Sequence, residues 1–310
     1  MPPGPTGVFY CVLPRPAGIV MNNKDKEKMS AKRLFLFAGY DRAGIVDPSL
    51  IYYIRALSKL GDVILCMDCD CATTELAKVA PYTIHASSTR HGEYDFGSYK
   101  RAYIWAAQNL NLTDYDFVYL VNDSVYGPLR PLGPVLENLE TKNLDAFGLV
   151  CNPHPDHPHI QSWFIGCRRS VFLSDWFDTF IRAIKKLESK GLITRMYEHG
   201  FTASVVANGR TWGCLMTVRN RGVYNRVRGL YRRGLPFIKK VAFSRHGGAY
   251  GRQIYYVLHD ADAEARNAIL AGATHTWGAE YINWLLTKNP LKVLYRGIKN
   301  GLHKICSGTL

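Results

Sequence analysis

The sequence predicts an α/β fold: a mostly parallel sheet of Rossmann type flanked by helices. Three observations predict it. Short apolar runs alternate with segments of helical apolar spacing from residue 32 to residue 121. The runs read as buried strands, as expected where helices cover a parallel sheet. Several runs end in Gly, Asn or Asp, which lines one edge of the sheet with polar groups. The chain has 310 residues, 47% of them apolar, enough for one large domain or two smaller ones and too apolar for wholesale disorder.

The elements follow in order. Residues 32–39 (KRLFLFAG) form the first expected strand. Asp47 can cap a helix, Pro48 suits its first turn, and the apolar spacing predicts a helix over residues 47–60 that Gly61 ends. A second strand is expected at 63–67, a short helix at 74–79 and a short strand at 82–85. A helix over 96–110 then leads to a strand at 117–121. Beyond Asn122 the pattern is mixed. Strands are expected at 146–150 and 163–166, and helices at 171–190, 198–208 and 261–288. Residues 210–260 are basic, Gly-rich and aromatic, and carry no clear period. No internal repeat and no dividing linker is visible. The expected organisation is a disordered leader over residues 1–31, a main domain over 32–260 and a helical extension over 261–310. No run approaches the 18 or more apolar residues of a membrane-spanning helix.

The net charge is +14, and it is concentrated. Residues 199–259 hold eleven Lys and Arg and no acid; residues 281–310 hold five and no acid. The rest of the chain has 23 basic and 25 acidic residues. Such regions suit an anionic partner: a nucleotide diphosphate, an anionic membrane surface or nucleic acid. The first twenty residues lack a basic n-region and are broken by prolines, so no secretory leader is expected. A reducing cytoplasm with mostly free thiols is the expected setting for the eight cysteines. Cys66, Cys69 and Cys71 have metal-like spacing, but they continue an apolar strand and lack a matching second pair.

In open α/β sheets, ligands bind at the carboxyl ends of the strands. Here those ends read Gly39-Tyr40-Asp41, Asp68-Cys69-Asp70 and Asn122-Asp123-Ser124. They could hold a ribose, a base or a divalent cation, or could be turn residues. The run from Asn152 to His159 (NPHPDHPH) has metal-ligating residue types on a loop stiffened by three prolines. It reads as a metal site or, preferably, as an acceptor-facing loop.

Five blocks are more specific: GEYDFGSYKR from Gly92, DYDFVYLVNDSVYGPL from Asp114, QSWF from Gln161, YEHGFT from Tyr197 and LPFIKK from Leu235. In this order and spacing they resemble the rhamnan synthesis protein F family of bacterial polysaccharide glycosyltransferases, over roughly residues 32–245. The order is also similar to GT-A-type nucleotide-sugar transferases. The resemblance implies a GT-A-like fold and a deoxyhexose, rhamnose, moved from a nucleoside-diphosphate sugar to a growing cell-surface polysaccharide or O-antigen of lipopolysaccharide. Donor contacts are then expected from Tyr40, Asp41, Asp68, Asp95, Lys100, Asn122, Asp123, Ser124, Lys239 and Lys240. Asp123 would be the ligand of a Mg²⁺ or Mn²⁺ ion, although Asn122-Asp123-Ser124 departs from a true Asp-x-Asp. Glu198 stands where that layout has a helix-opening acid and is the expected catalytic base, with Asp156 the second choice. Its other reading is an acid placed to suit a helix dipole. Acceptor contacts are expected from His159, Gln161, Ser162 and Trp163.

Leu291, Leu294, Ile298, Leu302 and Ile305 share one helical face, with Lys292, Arg296, Lys299 and Lys304 around it. A basic amphipathic helix suits an anionic membrane surface and a lipid-linked glycan, and suggests a peripheral place at the inner face of the cell membrane. It could equally pack on the main domain. Two competing functions are a noncatalytic carbohydrate-binding partner and a nucleic-acid-binding protein. The acidic strand ends and the absence of a nucleic-acid motif argue against the second, so no nucleic-acid partner is expected.

Overall fold

In the computed structural model, residues 31–287, 289 and 291 are described, together with the backbone of Tyr10–Cys11. Strand β1 (Tyr10–Cys11) is followed by β2 (Arg33–Gly39), β3 (Asp62–Met67), β4 (His85–Ser88), β5 (Phe117–Asn122) and β6 (Val125–Tyr126). Then come β7 (Ala146–Asn152), β8 (His159–Ile160), β9 (Phe164–Arg168), β10 (Trp212–Thr217) and β11 (Ile238–Lys239). Among the described residues the main sheet has nine strands, in the order β1-β10-β7-β9-β5-β2-β3-β4, with β8 on β7. All neighbours along that path pair in parallel except β9, which runs against both β5 and β7. This is the expected mostly parallel sheet flanked by helices.

The sheet is buried on both faces, and its sequence alternates accordingly. From β2, Phe35 and Phe37 pack with the helices Pro48–Ser58 and Gly133–Glu140. Leu34, Leu36 and Ala38 face the helices Tyr94–Asn109, Asp175–Arg182 and Gly200–Ala207. Each face excludes water from large aromatic side chains, which supplies most of the drive to fold. At the amino end of the sheet, Arg33 and Glu140 form a buried two-pronged pair, with Nε–Oε1 2.6 Å and Nη2–Oε2 2.7 Å. Tyr119 donates to the same carboxylate at 2.5 Å.

Local chemistry sets the element ends. Asp47 caps the first helix by accepting from Ser49 N at 2.7 Å and Leu50 N at 3.3 Å, as expected. That helix stops at Ser58, and Gly61 does a different job: a Cβ there would lie 2.3 Å from the Arg33 carbonyl oxygen. The expected long helix over 171–190 is broken. Ser174 caps a new helix, Asp175–Arg182, and residues 184–188 are not helical. Their backbone finds partners outside a helix. Lys100 Nζ donates to Ile184 O at 2.6 Å, and Tyr197 Oη bridges Lys185 N (2.9 Å) and Lys185 O (3.0 Å). The strand expected at 82–85 lies at His85–Ser88, after a short turn of 3₁₀ helix.

The stretch 210–260 resolves into β10, β11 and short helices. The helix Ala263–Trp277 lies along Pro48–Ser58, where a Cβ on Gly272 would meet Ser49 Oγ at 2.3 Å. With Gly251–Asp260 and Ala279–Leu285 it closes a third core around Tyr126 and Leu129. No helix of the described residues is long and apolar enough to cross a membrane. The leader apart from Tyr10, Cys11 and Ala31, and the amphipathic tail beyond Leu291, lie outside the described residues.

Candidate active site

The carboxyl ends of β2, β3 and β5 lie side by side, since Ala38 pairs with Asn122 and Gly39 with Met67. A cleft of about 430 Å³ opens beside β5, toward β7 and β8. Nine of the expected site residues line it: Asp95, Asn122, Ser124, His159, Gln161, Ser162, Trp163, Glu198 and Lys239.

One wall is built from the end of β5. Asn122 is buried and makes an Asx turn: its Oδ1 accepts from Ser124 N at 3.1 Å and from Ser124 Oγ at 2.5 Å. Its Nδ2 donates to Asp95 Oδ2 at 2.8 Å, so the helix start and the strand end are joined. Lys239, on β11, donates from Nζ to Ser124 Oγ at 2.7 Å and sits 5.2 Å above the Trp163 ring. β11 pairs antiparallel with β6, placing Lys239 opposite Val125. Gly127 permits that docking. Its φ is +147°, and a Cβ there would lie 2.6 Å from Phe237 Cδ1 and 2.7 Å from the Pro236 carbonyl oxygen.

The other wall carries Glu198. Its Oε1 accepts from the backbone N–H of Ser162 at 3.2 Å and lies 3.8 Å from His159 Nε2. His159 Nδ1 is 2.8 Å from the His157 carbonyl, which can only accept, so Nδ1 carries the hydrogen. Glu198 does not open a helix, contrary to expectation. It lies in a π-helical turn, Thr194–His199, between Lys190–Ile193 and Gly200–Ala207. The reading of an acid stabilised at a helix N-terminus therefore fails, because the preceding turn already occupies that end. Wide turns of this type are frequent at functional sites.

The charges between the walls interact. Burial pushes the Asp95 carboxyl up to about 7; the Asp123 charge adds to the shift, and Lys239 and Lys190 oppose it. Burial pushes Lys239 down to about 8, against the pull of Glu198 and Asp95. Burial and three neighbouring imidazoles bring His199 down to about 4, so its ring is neutral.

The remaining expected residues fall outside the lining. Asp123 holds Lys240 Nζ at 3.2 Å. Burial raises its carboxyl above the usual range, and Lys240 works against that rise. Asp68 accepts from the backbone N–H groups of His91 and Gly92 at 2.8 Å each and of Tyr94 at 3.2 Å. It thereby fixes the loop that delivers Asp95. Asp41 Oδ1 accepts from Ala43 N and Ile45 N at 2.8 and 3.0 Å, and its Oδ2 lies 2.8 Å from His275 Nε2. Tyr40 is exposed. Lys100 points away from the cleft, with Nζ 2.7 Å from Glu93 Oε2. Asp156 is 81% exposed on the 152–159 loop.

Several lining residues escape the sequence reading: Tyr94, Lys190, Asn220, Arg221 and Tyr224. Asn220, Arg221 and Tyr224 fall in the acid-free basic stretch, whose charge was the only signal for them.

The sequence profile of the family described as rhamnan synthesis protein F matches residues 73–306. The match covers the Asp95 helix start, both walls of the cleft and β11. The chain belongs to the rhamnan synthesis protein F family. Membership carries the coarse activity class, glycosyl transfer from a nucleotide sugar. No curated protein sequence matches this family member.

Among solved structures, one similar chain is from Desulfovibrio desulfuricans G20 and is described as a nucleotide-diphospho-sugar transferase. It shares 17% identity over 77% of this chain and 99% of that one, with a TM-score of 0.40. The mannosyltransferase Ktr4p from S. cerevisiae shares 7% over 55% of this chain and 64% of its own, at 0.34. Core-mannan synthase A from Aspergillus fumigatus, in an Mn/GDP form, shares 10% over 64% and 79%, also at 0.34.

Proposed function

We propose that this member of the rhamnan synthesis protein F family transfers rhamnose from a nucleoside-diphosphate sugar to a growing cell-surface polysaccharide, such as an O-antigen. The sugar rests on the family description. The observation that carries the chemistry is one cleft with Lys239 and Ser124 on one wall and Glu198 on the other.

Glycosyl transfer needs a base for the acceptor hydroxyl and positive charge for the departing diphosphate. Glu198 is the base. The acceptor oxygen bonds to the anomeric carbon, its proton passes to Glu198, and the bond to the diphosphate oxygen breaks. The Ser162 N–H holds the carboxylate in place. Glu198 is preferred to Asp156, which faces solvent outside the cleft. Lys239 stabilises the diphosphate, with Lys190 and Arg221 adding charge. His159, Gln161, Ser162 and Trp163 form the acceptor side. Tyr40, Asp41, Asp68, Lys100 and Lys240 act at a distance, as supports of the donor wall or of the turns around it.

A Mg²⁺ or Mn²⁺ ion suits the donor wall in one respect. The Asp123 charge adds to the cost of ionising Asp95, which a cation relieves. Asp123 would hold it, with Asp95 the nearby second carboxylate, and the ion would supply charge to the leaving diphosphate. Lys240 now neutralises Asp123, so ion binding there displaces that contact.

The basic tail supports a place at the cytoplasmic face of a membrane, with a lipid-linked glycan as acceptor. The test is transfer from nucleoside-diphosphate rhamnose and from matched hexose donors, with and without Mn²⁺. Preference for rhamnose supports the reading; equal use of a hexose donor overturns the choice of sugar.

A further inference from the structure

We propose that His154, Asp156 and His157 bind a divalent transition-metal ion of the zinc class on the rim of the cleft, with His199 beside them. Each of the three offers one ligand atom, and these atoms lie within 4.8 Å of one another. His154 Nδ1 and Asp156 Oδ2 are 3.8 Å apart. The His154 and His157 rings stack with centroids 3.7 Å apart, and the His199 ring lies 4.4 Å from that of His157.

Two imidazole nitrogens and one carboxylate oxygen form a donor set for zinc and its neighbours, not for Mg²⁺, which prefers oxygen alone. The loop suits such a site. Pro153, Pro155 and Pro158 fix three of its φ angles, so little conformational entropy remains to be lost when an ion orders it. The exposed Asp156 carboxylate lies 3.8 Å from His154 Nδ1 and can turn toward an ion. None of the three lines the cleft, and the site is separate from Asp123.

The place gives the ion a role. The loop runs from β7 into His159, Gln161 and Ser162, and His199 follows Glu198 in the π-helical turn. An ion on His154, Asp156 and His157 would order the loop where the His157 ring stacks on His199, and so brace it against that turn. It would fix the wall on which Glu198 is held by Ser162 N–H.

The experiment uses the full chain without a polyhistidine tag, stripped with a chelator. ZnCl₂ is titrated calorimetrically, and Co²⁺ is added as a spectroscopic probe. The expected result is one equivalent of Zn²⁺ and a Co²⁺ spectrum without a thiolate charge-transfer band. His154→Ala/His157→Ala and, separately, the exposed Asp156→Asn should each weaken Zn²⁺ binding by about tenfold or more. Metal-free circular dichroism checks that each variant is folded. Absence of binding by the wild type overturns the proposal. So does undiminished binding in Asp156→Asn together with a thiolate band, which assigns the metal to Cys69 and Cys71, whose sulfurs are 3.6 Å apart.

Discussion

Asn122 Nδ2 donates a 2.8 Å hydrogen bond to Asp95 Oδ2 and so joins the DFGSYK helix start to the end of the central strand. Two blocks separated by 27 residues become one wall through that bond. Lys239, 115 residues beyond Ser124, completes it.

Nucleotide-sugar affinity should fall as pH rises from 6 to 9. Asp95 ionises near pH 7, which adds a negative charge. Lys239 loses its proton near pH 8, which removes a positive one. Both changes oppose a diphosphate. An intact nucleotide sugar is the right ligand, because its diphosphate does not titrate in this range. Calorimetry should show a loss of about tenfold. Lys239→Ala should weaken binding at pH 6 and leave only the lower step of the profile.

Asp95→Asn should be more stable than the wild type at pH 8 and no more stable at pH 4. The folded Asp95 carboxyl sits near 7, above the ordinary 3.8. Its protonated form favours the fold, so that stability is complete below pH 4 and is lost as pH rises through 7. Asn carries no charge and keeps an oxygen for Asn122. Thermal melts should show a gain of roughly 2–4 °C at pH 8 for each kcal/mol relieved. Nucleotide binding, measured on the same protein, separates this gain from function.

Glu140→Ala should cost about 3–5 kcal/mol, because it strands the buried Arg33 guanidinium. Chemical denaturation measures it. Arg33→Met/Glu140→Leu should recover much of the loss, since a well-packed apolar pair needs no counter-charge.

Gly127→Ala should disturb activity more than its size suggests. The added methyl meets Phe237 and the Pro236 carbonyl at a φ that L-residues avoid. Relief requires β11 to move, and Lys239 with it. A stability loss of about 1–3 kcal/mol is expected, together with weaker nucleotide-sugar binding.

Much of this was readable from the residues. The alternation from 32 to 121 predicts β2, β3 and β5 because each of those apolar runs is buried, whereas the half-buried β4 begins where the expected strand ends. The Asp47-Pro48 start is readable because capping is local. The break after Arg182 was not, because Lys100 and Tyr197 take up the Ile184 and Lys185 backbone from outside that segment, and the π-helical turn at Glu198 has no local signal in the residues. Lys100 and Asp41 show the same limit. Each has a plausible donor-site position in sequence, yet Lys100 is turned to Glu93 and Ile184 O, and Asp41 to its own loop and His275. Asp68 is a third case: its two oxygens are taken up by the backbone that presents Asp95.

The most direct test is glycosyl transfer by Glu198→Gln. Gln keeps an oxygen for the Ser162 N–H, so the wall should hold and nucleotide-sugar affinity and thermal stability should match the wild type. Removing the base should lower the transfer rate by on the order of 10²–10⁴-fold. Wild-type rates in a folded Glu198→Gln protein would contradict the account.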